Sequence, residues 1–130
     1  MKNGYRLVDK DMLSDNHFPI QVVFNSISSK LFIETISPLA YGIGFGVDYG
    51  ACLFANDLDE YEIAMRGTFD GVEFGLHNGE EVLVDYQTFY YYLRKACESH
   101  VKEFNDDDKK IKMILKRVEV QFNIEPDDRP

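Results

Sequence analysis

The run Glu62-Ile-Ala-Met-Arg-Gly-Thr-Phe-Asp-Gly-Val-Glu-Phe-Gly-Leu-His-Asn-Gly-Glu-Glu-Val-Leu-Val-Asp85 decides the fold. Ile63, Met65, Gly67 and Phe69 alternate with Glu62, Ala64, Arg66 and Thr68, which is the period of a half-buried strand. Asp70-Gly71 is a preferred pair for a two-residue hairpin turn. A hairpin closed there sets Phe69 against Val72 and Met65 against Leu76, with Phe74 on the same face. Glu62, Arg66, Thr68, Glu73 and His77 fall on the other face, where Arg66 lies diagonal to Glu73 and within pairing reach. The next turn has two solutions. A two-residue Asn78-Gly79 turn suits the residue types but puts Glu81 on the buried face. A three-residue loop, Asn78 to Glu80, matches Leu76 with Val82 and Phe74 with Val84. A buried unpaired glutamate costs several kcal/mol, so the hydrophobic pattern predicts the longer loop.

Upstream lies Tyr41-Gly-Ile-Gly-Phe-Gly-Val-Asp-Tyr-Gly50. Ile43, Phe45, Val47 and Tyr49 alternate with Gly42, Gly44, Gly46 and Asp48, which predicts a strand that Ala51–Ala55 continues. Its glycine face lets another element approach the backbone closely. A phosphate loop fails in detail: the spacing is G-x-G-x-G, and no Gly-Lys-Ser/Thr follows. Asn56 to Glu60 is a turn rich in Asx residues.

Helices flank this segment. Asp85 is placed to cap a long helix from Tyr86 to about Phe104, with Phe89, Leu93, Ala96, Cys97, His100, Val101 and Phe104 as its buried stripe. Tyr90, Tyr91 and Tyr92 are consecutive, so they cannot all point inward. Ile111, Ile114, Leu115, Val118 and Phe122 mark a further helix, although Val118 to Ile124 also alternates and allows a switch to strand after Arg117. Toward the N-terminus, Ser14, Asp15 and Asn16 are cap types and Pro19 suits a first helical turn. Ile20, Val23, Phe24, Ile27 and Leu31 then give one apolar stripe on a helix from about Pro19 to Lys30. Leu31 to Ile36 extends that helix or turns separately, and Pro38 ends it. Residues 1–16 and 125–130 read as loosely ordered. The expected architecture is α+β: an antiparallel meander of about four strands packed against three helices, as one domain over 1–130.

The charge is not spread evenly. The chain nets −9, and all of that excess falls between Tyr41 and Tyr90. This stretch holds Asp48, Asp57, Asp59, Glu60, Glu62, Asp70, Glu73, Glu80, Glu81 and Asp85 against Arg66 alone, while both flanks are neutral. A concentrated negative field speeds capture of a cationic partner and repels nucleic acid. The tyrosines interleaved with these acids, Tyr49, Tyr61 and Tyr86, are suited to anchor such a partner. Lys109, Lys110, Lys112, Lys116 and Arg117 form a basic cluster, but three aspartates precede it and the net charge opposes phosphate binding, so it reads as a solvated helix face.

Several chemistries lack their signatures. His17, His77 and His100 occupy different elements without metal-ligand spacing, and His100 reads as a hydrogen-bonded core residue. Cys52 and Cys97 lie far apart in apolar surroundings, as buried small side chains do. There is no nucleophile elbow, and the acid pairs are what such an acidic stretch produces by chance. No catalytic residue, metal or cofactor is expected. No apolar run approaches the ~20 residues that span a membrane, and the N-terminal stretch lacks a signal peptide's apolar segment, so a cytosolic protein is expected.

The run Tyr41 to Gly50, the segment Phe69-Asp-Gly-Val-Glu-Phe-Gly75 and the segment Glu81-Val-Leu-Val-Asp-Tyr-Gln-Thr-Phe-Tyr-Tyr-Tyr-Leu-Arg-Lys-Ala96 resemble bacterial immunity proteins of contact-dependent growth inhibition, the CdiI type. The likeness covers about residues 41–105 and lies in the order of elements, a strand meander feeding a helix. It implies a small cytosolic inhibitor of a cognate CdiA C-terminal toxin domain, commonly a ribonuclease or DNase. It supplies no contact residues. Charge and tyrosine placement nominate Asp57, Asp59, Glu60, Tyr61, Glu62, Asp70, Glu73 and Tyr49 as the toxin-binding set. An acidic cytosolic chaperone for a secreted effector is the alternative.

Overall fold

The computed structural model describes residues 6–125. Among them are four strands and five α-helices, β1 (Phe45–Val47), β2 (Gly50–Phe54), β3 (Val72–Leu76), β4 (Glu81–Val84), α1 (Phe18–Asn25), α2 (Phe32–Ile36), α3 (Glu60–Arg66), α4 (Tyr86–Glu103) and α5 (Asp108–Phe122). The strands form one antiparallel sheet in the order β1-β2-β3-β4. The expected α+β meander is therefore present, with more helices than predicted and with strands drawn partly from other residues.

Two of the predicted strands are corrected. The glycine-alternating run does not continue into 51–55. It folds back at Asp48-Tyr49, so β1 and β2 form a hairpin with Phe45 opposite Cys52 and Val47 opposite Gly50. Residues 62–66, predicted as the first arm of a hairpin, are helical. Asp59 Oδ1 accepts from the Glu62 backbone N–H at 2.8 Å, and Glu62 Oε1 accepts from the Asp59 N–H at 2.9 Å. This reciprocal capping box satisfies two donors at once. Glu60 and Glu62 suit the positive end of the helix and Arg66 the negative end, and Gly67, at φ 78°, ends it. The Asp70-Gly71 hairpin is absent, and β3 pairs with β2 instead.

The β3–β4 loop is three residues long, as the hydrophobic pattern required, but it comprises His77, Asn78 and Gly79. Leu76 N–H donates to Glu80 O at 2.7 Å, and Gly79 N–H donates to Leu76 O at 2.9 Å. Phe74 therefore faces Val82, and Val72 faces Val84, two residues out of the predicted register. Slippage by two keeps every side chain on its own face, so periodicity alone does not distinguish the two registers.

One face of the sheet carries Phe45, Val47, Cys52, Phe54, Val72, Phe74, Val82 and Val84 toward the helices. Phe74 lies between Phe24 of α1 and Phe89 of α4, with centroids 5.6 and 6.4 Å away. Phe122 of α5 stacks on Phe54 at 5.3 Å and on Tyr86 at 4.5 Å. Helix α5 stays helical through Phe122, and its end is closed by Asn123 in the left-handed region and a bond from Ile124 N–H to Glu119 O, so among the described residues no strand forms after Arg117. Helix α1 stops at Asn25, short of the predicted Lys30. Ser26 Oγ donates back to Val22 O at 2.7 Å, and a tighter helical turn at Ser29–Leu31 leads into α2.

The predicted loose ordering of the N-terminal segment does not hold for residues 6–16. Leu7 is fully buried, and Arg6 is 4% exposed, its guanidinium donating to Phe24 O, Ile27 O and Ser29 Oγ above the Phe32 ring. Residues 1–5 and 126–130 lie outside the described part. Two of the three consecutive tyrosines, Tyr91 and Tyr92, tether the segment 6–16, and Tyr90 ties α4 to α5. Tyr90 donates to Glu119 of α5, Tyr91 to Asp11 O at 2.8 Å, and Tyr92 Oη accepts from Leu13 N–H at 2.8 Å. Tyr90 and Tyr92 are buried and Tyr91 is half-buried. Burial, with the Glu119 bond after it, pushes the Tyr90 hydroxyl well above its ordinary value.

His17 Nδ1 lies 2.7 Å from Tyr92 Oη. With the imidazole neutral and its proton on Nε2, Nδ1 accepts the Tyr92 hydroxyl proton while the same oxygen accepts from Leu13 N–H. Burial lowers the His17 pKa, and Asp85 opposes the shift. A lowered histidine value means that the unfolded chain takes up the proton first. The His17 contribution is thus complete above about pH 6.5 and is lost as pH falls through the folded value. Urea midpoints of the wild type are expected to fall between pH 7.5 and 5.5 by more than those of His17→Gln. Equal pH slopes would refute the assignment.

Candidate functional site

Among the described residues, the outer face of the sheet has no helix packed along it. By register it carries Gly46, Ala51, Leu53, Glu73, Gly75, Glu81 and Leu83. Glu73 does not act as a free acid. Arg66 Nη2 donates to both of its carboxylate oxygens at 3.0 and 2.9 Å, so the pairing expected across a hairpin is made from the end of α3 instead.

The ends of the sheet are where the acids gather. Strand β2 leaves the sheet at Phe54, β3 enters at Val72 and β4 leaves at Val84, all at one end. Asp57 and Asp59 lie on the short connection from Phe54 to α3, Glu60 and Glu62 on its first turn, Asp70 just before Val72, and Asp85 directly after Val84. All but Asp57 are exposed. At the opposite end, the β1–β2 and β3–β4 turns lie side by side, joined by His77 N–H donating to Tyr49 O at 2.9 Å. Exposed Asp48, Glu80 and Glu81 belong to this end.

The nominated residues therefore separate into groups. Glu60, Tyr61 and Glu62 sit on α3, Asp59 caps it, and Asp70 lies on the return to β3. Tyr49 is at the far end of β2, and five residues at about 3.3 Å each set it roughly 17 Å away. Asp57 has a structural task. Its Oδ2 accepts from Phe54 N–H at 2.7 Å and from Gly44 N–H at 2.9 Å, latching the approach to β1 onto the exit from β2. Hydrogen bonds to a charged acceptor are worth about 1.5–3 kcal/mol each, so Asp57→Ala is expected to lower stability by about 2–4 kcal/mol. A denaturant midpoint within error of wild type would show that the latch is unimportant.

Helix α3 is the unusual element. None of its residues is buried. Tyr61 is 71% exposed, Met65 69% and Ile63 42%. A seven-residue helix gains little stability from its own hydrogen bonds. The capping box and the Arg66–Glu73 pair hold this one while its apolar side chains stand in water. The alternation of Ile63 and Met65 predicts a buried strand face, but on this helix both are surface residues. The Asp59-x-x-Glu62 spacing was the signal that identifies the helix.

Elsewhere the side chains are occupied structurally. His100, 3% exposed, stacks between Phe32 and Phe104 with centroids at 4.4 and 4.8 Å, and its Nε2 is 2.8 Å from Asp107 Oδ2. Cys52 and Cys97 are unpaired and buried, and burial pushes both thiols up, away from the reactive thiolate. On α5, Lys112 pairs with Asp108 at 3.1 Å and Arg117 donates to Tyr41 Oη at 2.6 Å. Among the described residues, no cluster of three His, Cys, Asp or Glu side chains is placed to hold a metal ion, and no helix is long and apolar enough to cross a membrane.

No curated protein matches the chain. Residues 15–115 match a family model described as CDI immunity protein. That span runs from the turn before α1, through the whole sheet, α3 and α4, into α5. It takes in the acidic end and the exposed helix as well as the core that supports them. The chain belongs to the CDI immunity proteins, a family of toxin-immunity proteins.

Proposed function

We propose that this protein acts in the cytoplasm as a stoichiometric inhibitor of its cognate CdiA C-terminal toxin domain, a basic nuclease acting on tRNA or DNA. The contact is centred on α3 and the acidic end of the sheet. The observation that carries this reading is a helix without a buried residue, presenting Tyr61, Ile63 and Met65 inside a frame of Asp59, Glu60, Glu62 and Asp70. Exposed aromatic and thioether side chains become anchors when a partner desolvates them. The surrounding carboxylates accelerate encounter with a basic surface and compete with the phosphates that this surface binds. No chemistry by the inhibitor is needed: occupying the nuclease groove suffices.

The test is titration of the cognate toxin domain with the purified protein, read as nuclease activity and as binding kinetics. Activity is expected to vanish at equal stoichiometry. Glu60→Lys with Asp70→Lys, two exposed positions outside the capping box, is expected to lower the association rate about tenfold at low salt with little change in dissociation. No complex, or full nuclease activity within the complex, would refute the proposal. A toxin domain that becomes protease-sensitive when bound would point to a chaperone.

A further inference from the structure

At the end of the sheet opposite α3, residues 6–9 run beside α1 and past the β1–β2 turn. The crossing is fixed by hydrogen bonds. Asn25 Oδ1 accepts from the N–H groups of Arg6 and Leu7, both at 2.9 Å, and Asn25 Nδ2 donates to Leu7 O at 3.0 Å. Gln21 Nε2 donates to Leu7 O at 3.2 Å and to Asp9 Oδ1 at 3.1 Å. Between these elements lies an open groove of about 590 Å³.

Its apolar walls include Val8, Phe18, Val22 and Tyr49, and Asp9 and Gln21 supply polar groups at its side. Val8, Phe18 and Tyr49 are all exposed. Among the described residues, no lysine, arginine or histidine lines it. Asp48 precedes Tyr49 and Lys10 follows Asp9, so the trough itself is lined by apolar side chains and one carboxylate, Asp9, with no cation among its described lining residues.

This chemistry selects its occupant. An anion is repelled, and a purely apolar group leaves Asp9 unused. A long apolar stem ending in a planar cation uses every wall: the stem covers Val8 and Val22, the plane stacks on Tyr49, and two N–H groups meet the Asp9 carboxylate. Lysine has the stem and the charge but lacks the plane. We infer that the groove receives an arginine side chain projected by the toxin domain. The preference for arginine comes from the groove itself, and the source of the arginine rests on the function proposed above. Two anchors, α3 at one end of the sheet and this groove at the other, fix the orientation of a rigid partner as a single anchor does not.

The probe is N-acetyl-arginine amide, titrated at low salt into ¹⁵N-labelled protein, with N-acetyl-citrulline amide as its uncharged isostere. Saturable shift changes are expected at the amides of Val8, Val22 and Tyr49, with the citrulline analogue weaker by about tenfold. Asp9→Asn is expected to abolish that difference. Equal responses to both probes, or none at these amides, would overturn the inference. With the cognate toxin domain, Tyr49→Ala and Asp9→Asn are each expected to raise the dissociation rate about tenfold. Both are exposed positions, so folding is not at risk. Wild-type binding with both variants unchanged would overturn the toxin as the source of the arginine. A wild-type protein that takes the arginine probe and ignores the toxin domain would refute the proposed partner while leaving the groove's preference standing.

Discussion

Truncating Tyr61 and Met65 together to alanine is expected to weaken the complex with the toxin domain by about a hundred- to a thousandfold, mostly through faster dissociation. Central anchors are worth about 2 kcal/mol or more each, and neighbouring anchors do not add fully. The fold is expected to remain, because both side chains are about 70% exposed and α3 buries nothing against the core. Unchanged denaturant midpoints with lost binding would place the contact on α3. Calorimetry showing an affinity within threefold of wild type would remove α3 from the interface, whatever its charge contributes to the association rate.

The second large effect concerns the sheet. A methyl group on Gly50 would lie 2.2 Å from the Gly75 carbonyl oxygen of the paired strand. A side chain can rotate away from such an overlap, but a backbone oxygen held in a ladder cannot withdraw without opening β2 from β3. Overpacking costs typically 1–3 kcal/mol, and with the backbone as obstacle Gly50→Ala is expected to cost roughly 3 kcal/mol or more. Gly46, in the same alternating run, has nothing nearer than 4.0 Å to its added methyl, and its alanine variant is expected to be within about 0.5 kcal/mol of wild type. Urea unfolding of both variants measures the contrast. Comparable midpoints for the two would show that the close approach at Gly50 is not structural.

Much of the scaffold was legible because it rests on local rules. Asp85 caps α4 through Thr88 N–H at 2.8 Å, as its position before the apolar stripe indicated. Within α1, α4 and α5 the predicted apolar stripes face the core because a 3.6-residue period leaves one apolar side to bury, but their last members, Leu31 and Phe104, lie beyond the ends of α1 and α4 and are exposed. Val72, Phe74, Val82 and Val84 share the inner face because a period of two admits no other assignment. The misread segments are those where local patterns compete. Ile63 and Met65 are two residues apart, which fits a strand, but the Asp59–Glu62 box made the helix and no burial demanded otherwise. The glycine run reads as one extended strand whether or not it turns at Asp48-Tyr49. Only the antiparallel pairing of Phe45 with Cys52 and of Val47 with Gly50 reveals the turn.

The candidate site divides along the same line. The sequence alone determined the charge: a −9 excess confined to residues 41–90, with neutral flanks. It also marked most of the side chains that the core takes from α1, β3, β4, α4 and α5, since burying apolar surface is a property of composition and period, but not Leu7, nor the exposure of Ile63 and Met65. Tertiary structure decided which acids are available and where. Asp57 is committed to two backbone N–H groups and Glu73 to Arg66, because strand pairing and the return of the chain bring those donors to them. Tyr49 and Tyr61, similar in the sequence, stand at opposite ends of one sheet, because Tyr49 precedes β2 and Tyr61 follows it, and an extended strand carries its two termini apart.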